Sequence, residues 1–322
     1  MVAEPRTGAP DVFEPARLEP EPAAPPAPKE QISGLVRAVR PRQWVKNLLV
    51  FMAPAAAGVL LHPTVLLHAL GAFGLFCLAA SGTYLFNDVL DAGRDRLHPV
   101  KSRRPVASGQ VPARLALVVG VVMAGASIAV AWPLAGWQLA LVIGAYVVIT
   151  TSYSLWLKRE AVIELACVAA GFVLRAIAGG VATHVPLSNW FLIVTSFAAL
   201  FVVTGKRLGE YERLGDGRAE HRPVLAAYSA PFLRATLLLS ASVTVTAYCL
   251  WAFERRGMGY HPGHHPIWFQ LTIVPFVLIV LYVLRPLENG DGGAPEELAL
   301  TDRRLQVLGV VWLAMLALGI YA

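Results

Sequence analysis

Residues 86–109 read FNDVLDAGRDRLHPVKSRRPVASG and gather side chains that could hold a metal and an anion. The first half supplies Asn87, Asp88, Asp91 and Asp95. The second supplies Arg94, Arg96, Lys101, Arg103 and Arg104, with His98 between them. On a helix, Asp88, Asp91 and Asp95 stand at i, i+3 and i+7, on one face, with Asn87 one turn before Asp91. Three carboxylates on one stripe repel each other unless a cation sits among them. Oxygen-only ligands suit Mg²⁺, which typically takes one or two carboxylates together with substrate phosphates. The bland alternative is a solvated charged loop between membrane helices. The acidic stripe begins directly after a hydrophobic run, which favours the metal.

The elements that must position this stripe are apolar. The 322-residue chain is 56% hydrophobic, with a mean hydropathy of +0.58. Several runs exceed the ~18 residues that mark a membrane-spanning helix. The expected fold class is all-α: one integral membrane bundle of nine transmembrane helices. The expected spans are roughly 47–61, 66–87, 113–132, 137–155, 161–181, 188–205, 231–252, 267–285 and 304–321. The first is short and holds Pro54, which weakens its boundaries. Residues 1–30, rich in Pro, Glu and Ala, are expected to be a disordered tail. Residues 31–322 form a single transmembrane catalytic domain, opened by an interfacial helix over 31–46. The N-terminus lacks the basic-then-apolar pattern of a cleaved signal peptide. Cys77, Cys167 and Cys249 all lie in apolar runs, so no disulfide framework is expected.

Charge sets the orientation. The net charge of +6 does not imply nucleic acid, because Lys and Arg gather in the cytoplasmic loops of membrane proteins. The N-terminal flank and loops 88–112, 156–160, 206–230 and 285–303 carry most of them, all on one side of a nine-span protein. That side is expected to be cytoplasmic, with Ala322 outside. Of the alternate loops only 253–266 is basic, through Arg255 and Arg256. It also holds His261, His264 and His265, read as a solvated loop rather than a metal site.

Further candidates lie in the basic loops. Tyr153 and Lys158 fall at the membrane surface, where Lys158 could equally be a plain positive-inside anchor. Lys206 and Arg207 open a loop that continues through Glu210, Glu212 and Asp216. Lys46 stands at the mouth of the first span. Arg175 lies about fourteen residues into the fifth span, on nearly the same face as Glu164. An intramembrane Arg usually faces a bundle interior, a cavity or an acidic partner. A structural ion pair with another helix and a cation lining a polar cavity remain open for it.

The run N-D-V-L-D-A-G-R-D matches the N-D-x-x-D-x-x-x-D motif of the UbiA superfamily of intramembrane prenyltransferases. Its continuation D-R-x-H-P-x-K-x-x-R-P-x-A-x-G narrows the match. So do R-P-R-Q-W-V-K-N at 40–47, Y-S-L-W-L-K at 153–158, R-A-I-A-G-G at 175–180 and G-K-R at 205–207. Together these resemble the superfamily's phosphoribosyl-transferring branch, the decaprenyl-phosphate phosphoribosyltransferases of actinobacteria, over nearly everything after residue 31. The resemblance implies nine helices around a central cavity open to the cytoplasm, in a bacterial plasma membrane. It implies phosphoribosyl pyrophosphate as donor and a polyprenyl phosphate as acceptor, in an early step of arabinan-donor synthesis for the cell wall. Asn87, Asp88, Asp91 and Asp95 would then hold Mg²⁺. Lys101, Arg103, Arg104, Lys158, Lys206 and Arg207 would bind phosphates, with Lys46, Tyr153 and Arg175 as further substrate contacts.

One departure matters. The superfamily usually carries a second acidic motif, D-x-x-x-D, after the sixth helix. Here the loop starts with Lys206 and Arg207, and only Glu212 and Asp216 stand at i, i+4. A prenyltransferase joining a prenyl diphosphate to an aromatic or quinone precursor is the first alternative. A transporter is the second, disfavoured because the charges concentrate at one mouth. The sequence leaves oligomeric state open, a homo-oligomer included.

Overall fold

The computed structural model describes residues 27–215, 222–254, 267–288, 298 and 301–321, and no strand occurs among them. Helix α1 (Pro28–Ala38) begins at a Pro in its first turn, within the 1–30 stretch expected to be a tail. Residues 1–26 lie outside the described residues, as do Asp216, the 255–266 histidine loop and Ala322.

Among the described residues, eight helices are long and apolar enough to cross a membrane. They include α3 (Pro63–Arg96), α4 (Ala113–Ala135), α5 (Trp137–Leu155), α6 (Ile163–Ala182), α7 (Asn189–Leu214) and α8 (Ala230–Glu254). Next, α9 (Ile267–Leu271) and α10 (Ile273–Glu288) form one span broken at Thr272, and α11 (Arg303–Tyr321) ends the chain. Helix α3 continues past its apolar run, so the acidic stripe is the last three turns of a membrane helix rather than a loop. It stops before Pro99, since the residue preceding a proline disfavours helical backbone.

The first expected span differs in kind. Residues Pro41–Phe51 form a 3-10 helix, followed by the single turn α2 (Met52–Ala56). This segment still runs the depth of the bundle. It starts at Arg40, whose guanidinium bonds Asp88, and ends at His62, the residue before α3 begins. Those two levels are twenty-five residues apart on α3, or ~38 Å at 1.5 Å per residue. A 3-10 helix rises ~2.0 Å per residue, so it covers the distance with fewer residues than an α-helix.

Packing explains why the segment lies flat against its neighbours. A Cβ at Gly179 of α6 would come 1.8 Å from the Val50 carbonyl oxygen, so only glycine admits that backbone. Gly82 and Gly120 also bring α3 and α4 close, a Cβ at Gly82 meeting the Gly120 carbonyl at 2.6 Å. Small residues at such contacts let membrane helices approach closely. Polar bonds hold the segment as well. Trp44 Nε1 donates to Ser81 Oγ at 3.1 Å, and Asn47 Nδ2 donates to Cys77 Sγ at 3.2 Å.

The apolar interior falls into two main clusters. One, with Val50, Phe76, Leu139, Ile143 and Tyr146, joins the 3-10 segment to α3, α5 and α6. The other, with Leu165, Leu208, Leu225, Leu233 and Leu287, joins α6, α7, α8 and α10. Charged side chains cap both clusters at one end.

Candidate functional site

Three polar groups occupy the bundle. The first is the acidic stripe of α3. Asp88 is 2% exposed and bonds the Arg40 guanidinium; Arg104 Nη1 also reaches it at 3.4 Å. The same Arg104 nitrogen lies 2.7 Å from Asp95 Oδ2. Asp91 Oδ1 accepts from Arg94 Nη2 and from Lys158 Nζ, both at 2.9 Å. Lys158 thereby ties the loop after α5 to the end of α3.

Two of the three carboxylates therefore share one guanidinium, while Asp91 turns toward Lys158. Among the described residues, no three His, Cys, Asp or Glu side chains form a ready-made metal cage. The donor set still fits a hard divalent cation, because Asp88 and Asp95 are oxygen donors within reach of one positively charged group. The guanidiniums neutralise the acids that a metal would otherwise neutralise.

Arg40 is a functional candidate that sequence reasoning missed. Its backbone sits in the left-handed region (φ 54°), rare for a residue with a Cβ, and its guanidinium lies 5.0 Å from the Tyr84 ring centroid. Strained backbone of this kind clusters at functional sites. The sequence signal was its place at the start of R-P-R-Q-W-V-K-N, beside an element expected to be only interfacial.

The second group surrounds Glu164, which is fully buried. Arg207 grips it with two bonds, Nε to Oε1 at 2.6 Å and Nη2 to Oε2 at 2.9 Å. Arg207 Nη1 also donates to Glu210 Oε2 at 2.9 Å. A bidentate guanidinium is the strongest ordinary partner for a buried carboxylate, and removing one partner of such a pair costs roughly 3–5 kcal/mol. Arg207, expected to bind phosphate, is thus engaged by two carboxylates. Glu164 is paired across to α7.

Tyr228 completes this group. Its hydroxyl donates to Glu164 at 3.4 Å and accepts from the Val162 N–H at 2.8 Å. Burial pushes its phenol up to about 12, so it remains a donor at neutral pH. Val162 itself has φ 68°, and Ile163 N–H bonds the Ala161 carbonyl at 2.8 Å across it. That is a tight γ-turn, strained for a β-branched residue and anchored by Tyr228. Glu212 of the weak second acidic motif bonds Arg234 Nη2 at 2.8 Å, away from Glu164.

The third group lies deeper. Arg175, 5% exposed, donates to Asn47 Oδ1 at 2.6 Å, to the Gly171 carbonyl at 2.5 Å and to Tyr146 Oη at 3.1 Å. Its guanidinium also lies 4.7 Å from the Tyr146 ring centroid and 5.7 Å from that of Phe76. These contacts lock the 3-10 segment, α5 and α6 together through neutral partners.

Of the remaining expected site residues, Tyr153 bonds Arg222 beside the second group. Asn87, Lys46, Lys101, Tyr153 and Lys206 are half-buried, and Arg103 is exposed. Lys101 and Arg103 belong to a short 3-10 turn directly before Arg104.

The structure is thus a multi-span helical bundle that carries at its charged end an acidic stripe paired with guanidiniums and Lys158. The UbiA prenyltransferase family model matches residues 47–320, and the chain belongs to that family. Among curated relatives, the decaprenyl-phosphate phosphoribosyltransferase of Mycolicibacterium smegmatis is 41% identical over 94% of this chain and 97% of its own length. The protein of the same name from Mycobacterium tuberculosis is 44% identical over 89% and 94%. That of Corynebacterium glutamicum is 39% identical over 91% and 89%. Among solved structures, a UbiA homolog from Archaeoglobus fulgidus, bound to DMAPP and Mg²⁺, superposes with a TM-score of 0.64 at 19% identity. That match covers 89% of this chain and 97% of the homolog. The likeness supports the fold, and with it a multi-pass membrane protein.

Proposed function

We propose that this protein transfers the 5-phosphoribosyl group from phosphoribosyl pyrophosphate to a polyprenyl phosphate, decaprenyl phosphate in the relatives' name, and releases pyrophosphate. The observation that carries this reading is the match of about 40% identity, nearly end to end, to relatives of that name. We further infer that the charged end faces the cytoplasm and that the product feeds arabinan-donor synthesis for the cell wall. The basic loops support the orientation.

The residues fit the chemistry in a definite order. Asp88 and Asp95, with Asp91 and Asn87 beside them, would hold Mg²⁺, which when bound supplies positive charge to the leaving pyrophosphate. Arg40, Arg104 and Lys158 now spend their hydrogen bonds on these aspartates. With a metal held by the aspartates, Arg40, Arg104 and Lys158 would be free to bind substrate phosphates. Arg offers a bidentate fork and Lys a compact point charge. Lys101, Arg103, Lys206 and Lys46 add positive charge for the ribose 5-phosphate and the lipid phosphate. Tyr153 donates a hydrogen bond to a phosphate oxygen. As the C1–O bond breaks, the ribose passes through an oxocarbenium-like state, and an oxygen of the lipid phosphate closes on C1. That oxygen is already ionised at neutral pH, so no enzyme nucleophile and no general base is needed.

The test is direct. Purified protein is given labelled phosphoribosyl pyrophosphate and polyprenyl phosphate, or a prenyl diphosphate with an aromatic acceptor, each with and without Mg²⁺. Label entering lipid only with Mg²⁺ is the expected result. Prenylated aromatic product without phosphoribosylated lipid would overturn the reading.

A further inference from the structure

Arg222 was not among the residues the sequence singled out, and the transfer reaction described above does not use it. It lies just before the turn Pro223–Ala227, yet its guanidinium reaches three elements. Nη1 donates to Glu210 Oε2 on α7 at 3.2 Å. Nη2 donates to Glu164 Oε2 on α6 at 3.4 Å and to the Tyr153 hydroxyl on α5 at 2.8 Å. The bond to Tyr153 is the shortest of the three.

Charge balance explains the geometry. Glu164 and Glu210 bring two negative charges, and Arg207 and Arg222 bring two positive ones. The cluster is neutral within itself, so it has no need of a further anion. Arg207 is sealed inside, while the Arg222 side chain keeps 28% exposure and sits at the edge that meets Tyr153. The carboxylates thus hold the Arg222 fork in one orientation, with its remaining N–H aimed at a phenol.

The consequence for Tyr153 follows from hydrogen-bond inventory. A phenol has one proton to donate and lone pairs to accept with. Arg222 occupies a lone pair of the Tyr153 oxygen, so the hydroxyl proton points away from Arg222. An O–H whose oxygen accepts from a cation is also polarised into a stronger donor. Tyr153 lies in the last turns of α5, five residues before Lys158, which bonds Asp91 of the acidic stripe. We propose that Arg222 is a positioning residue that, held by Glu164 and Glu210, aims the Tyr153 hydroxyl proton at a phosphate oxygen of the substrate. This rests on the phosphoryl-handling reading of the site, but not on which donor the enzyme uses.

The test is a double-mutant cycle in purified protein, with Tyr153→Phe, Arg222→Gln and the combination. Each is read by kcat/KM for the donor and by inhibition with inorganic pyrophosphate, with melting temperature as the control for folding. Tyr153→Phe should lower kcat/KM about 10-fold or more, the effect of losing one hydrogen bond to a charged group. Arg222→Gln should do the same in the native background and change less than about 2-fold once Tyr153 is Phe, the non-additivity expected of residues acting as a unit. Pyrophosphate inhibition should weaken in parallel. Equal losses in both backgrounds would overturn the proposal and leave Arg222 a structural strut. If Arg222→Gln does not fold, Arg222→Lys replaces it in the same cycle. An amine cannot hold all three partners at once, so an Arg222→Lys enzyme matching the native one would also overturn it. The cycle is run with whichever donor turns over. A prenyl diphosphate as sole donor would therefore sink the phosphoribosyl reading while still testing Arg222.

Discussion

Asp88 and Asp91 stand one helical turn apart but face different partners, Arg40 and Arg104 for the first, Arg94 and Lys158 for the second. Asp88→Asn and Asp91→Asn keep the shape and remove the charge. Each is expected to lower turnover by at least ~10²-fold at saturating Mg²⁺, since metal charge stabilisation contributes several kcal/mol. Both should still insert in the membrane and elute as folded protein. Near-native activity in both would remove the stripe from the reaction. The stripe itself was legible, because i, i+3 and i+7 spacing defines a helix face within one short stretch. Arg40 and Arg222 were not: their partners Asp88 and Tyr153 lie 48 and 69 residues away along the chain. Arg175 and Glu164 share a helix face eleven residues apart, ~16 Å of rise, and each finds partners on neighbouring elements.

At the level of elements, eight of the nine spans follow the hydrophobic runs closely, because only uninterrupted helices satisfy their backbone in a membrane. The ninth crossing could not be read as a 3-10 helix. Its shape depends on the Val50 carbonyl meeting Gly179, a contact between segments distant in sequence. The close approach also makes a prediction. Gly179→Ala forces backbone apart from backbone, with no flexible side chain to yield, so it is expected to destabilise by about 1–3 kcal/mol, as overpacking does. The measurement is the melting temperature in detergent, compared with Gly74→Ala, where a Cβ meets nothing within 4 Å. Equal melting of the two variants would mean that the 3-10 segment is not pressed against α6.

For the whole molecule, the ion pairs Arg40–Asp88, Arg104–Asp95, Lys158–Asp91 and Arg222–Glu164 gather the N-terminal flank and three interhelical connections at one end. The expected orientation puts that end in the cytoplasm. In a variant lacking Cys77, Cys167 and Cys249, a cysteine replacing His184 should react with an impermeant reagent on intact cells, and one replacing Ser102 should not. The reverse pattern would reject the orientation. The 34 residues of α3 have a further consequence. At 1.5 Å each they span roughly 51 Å, against ~30 Å of hydrocarbon. Its last turns, and the acids on them, therefore stand at the headgroup boundary, where water and lipid are both within reach. The two proposed reactants are then counted in different dimensions, the sugar donor per volume of cytosol and the lipid acceptor per area of membrane. Growth of the bilayer with other lipids slows the enzyme by thinning its acceptor across the surface, even while the donor stays saturating.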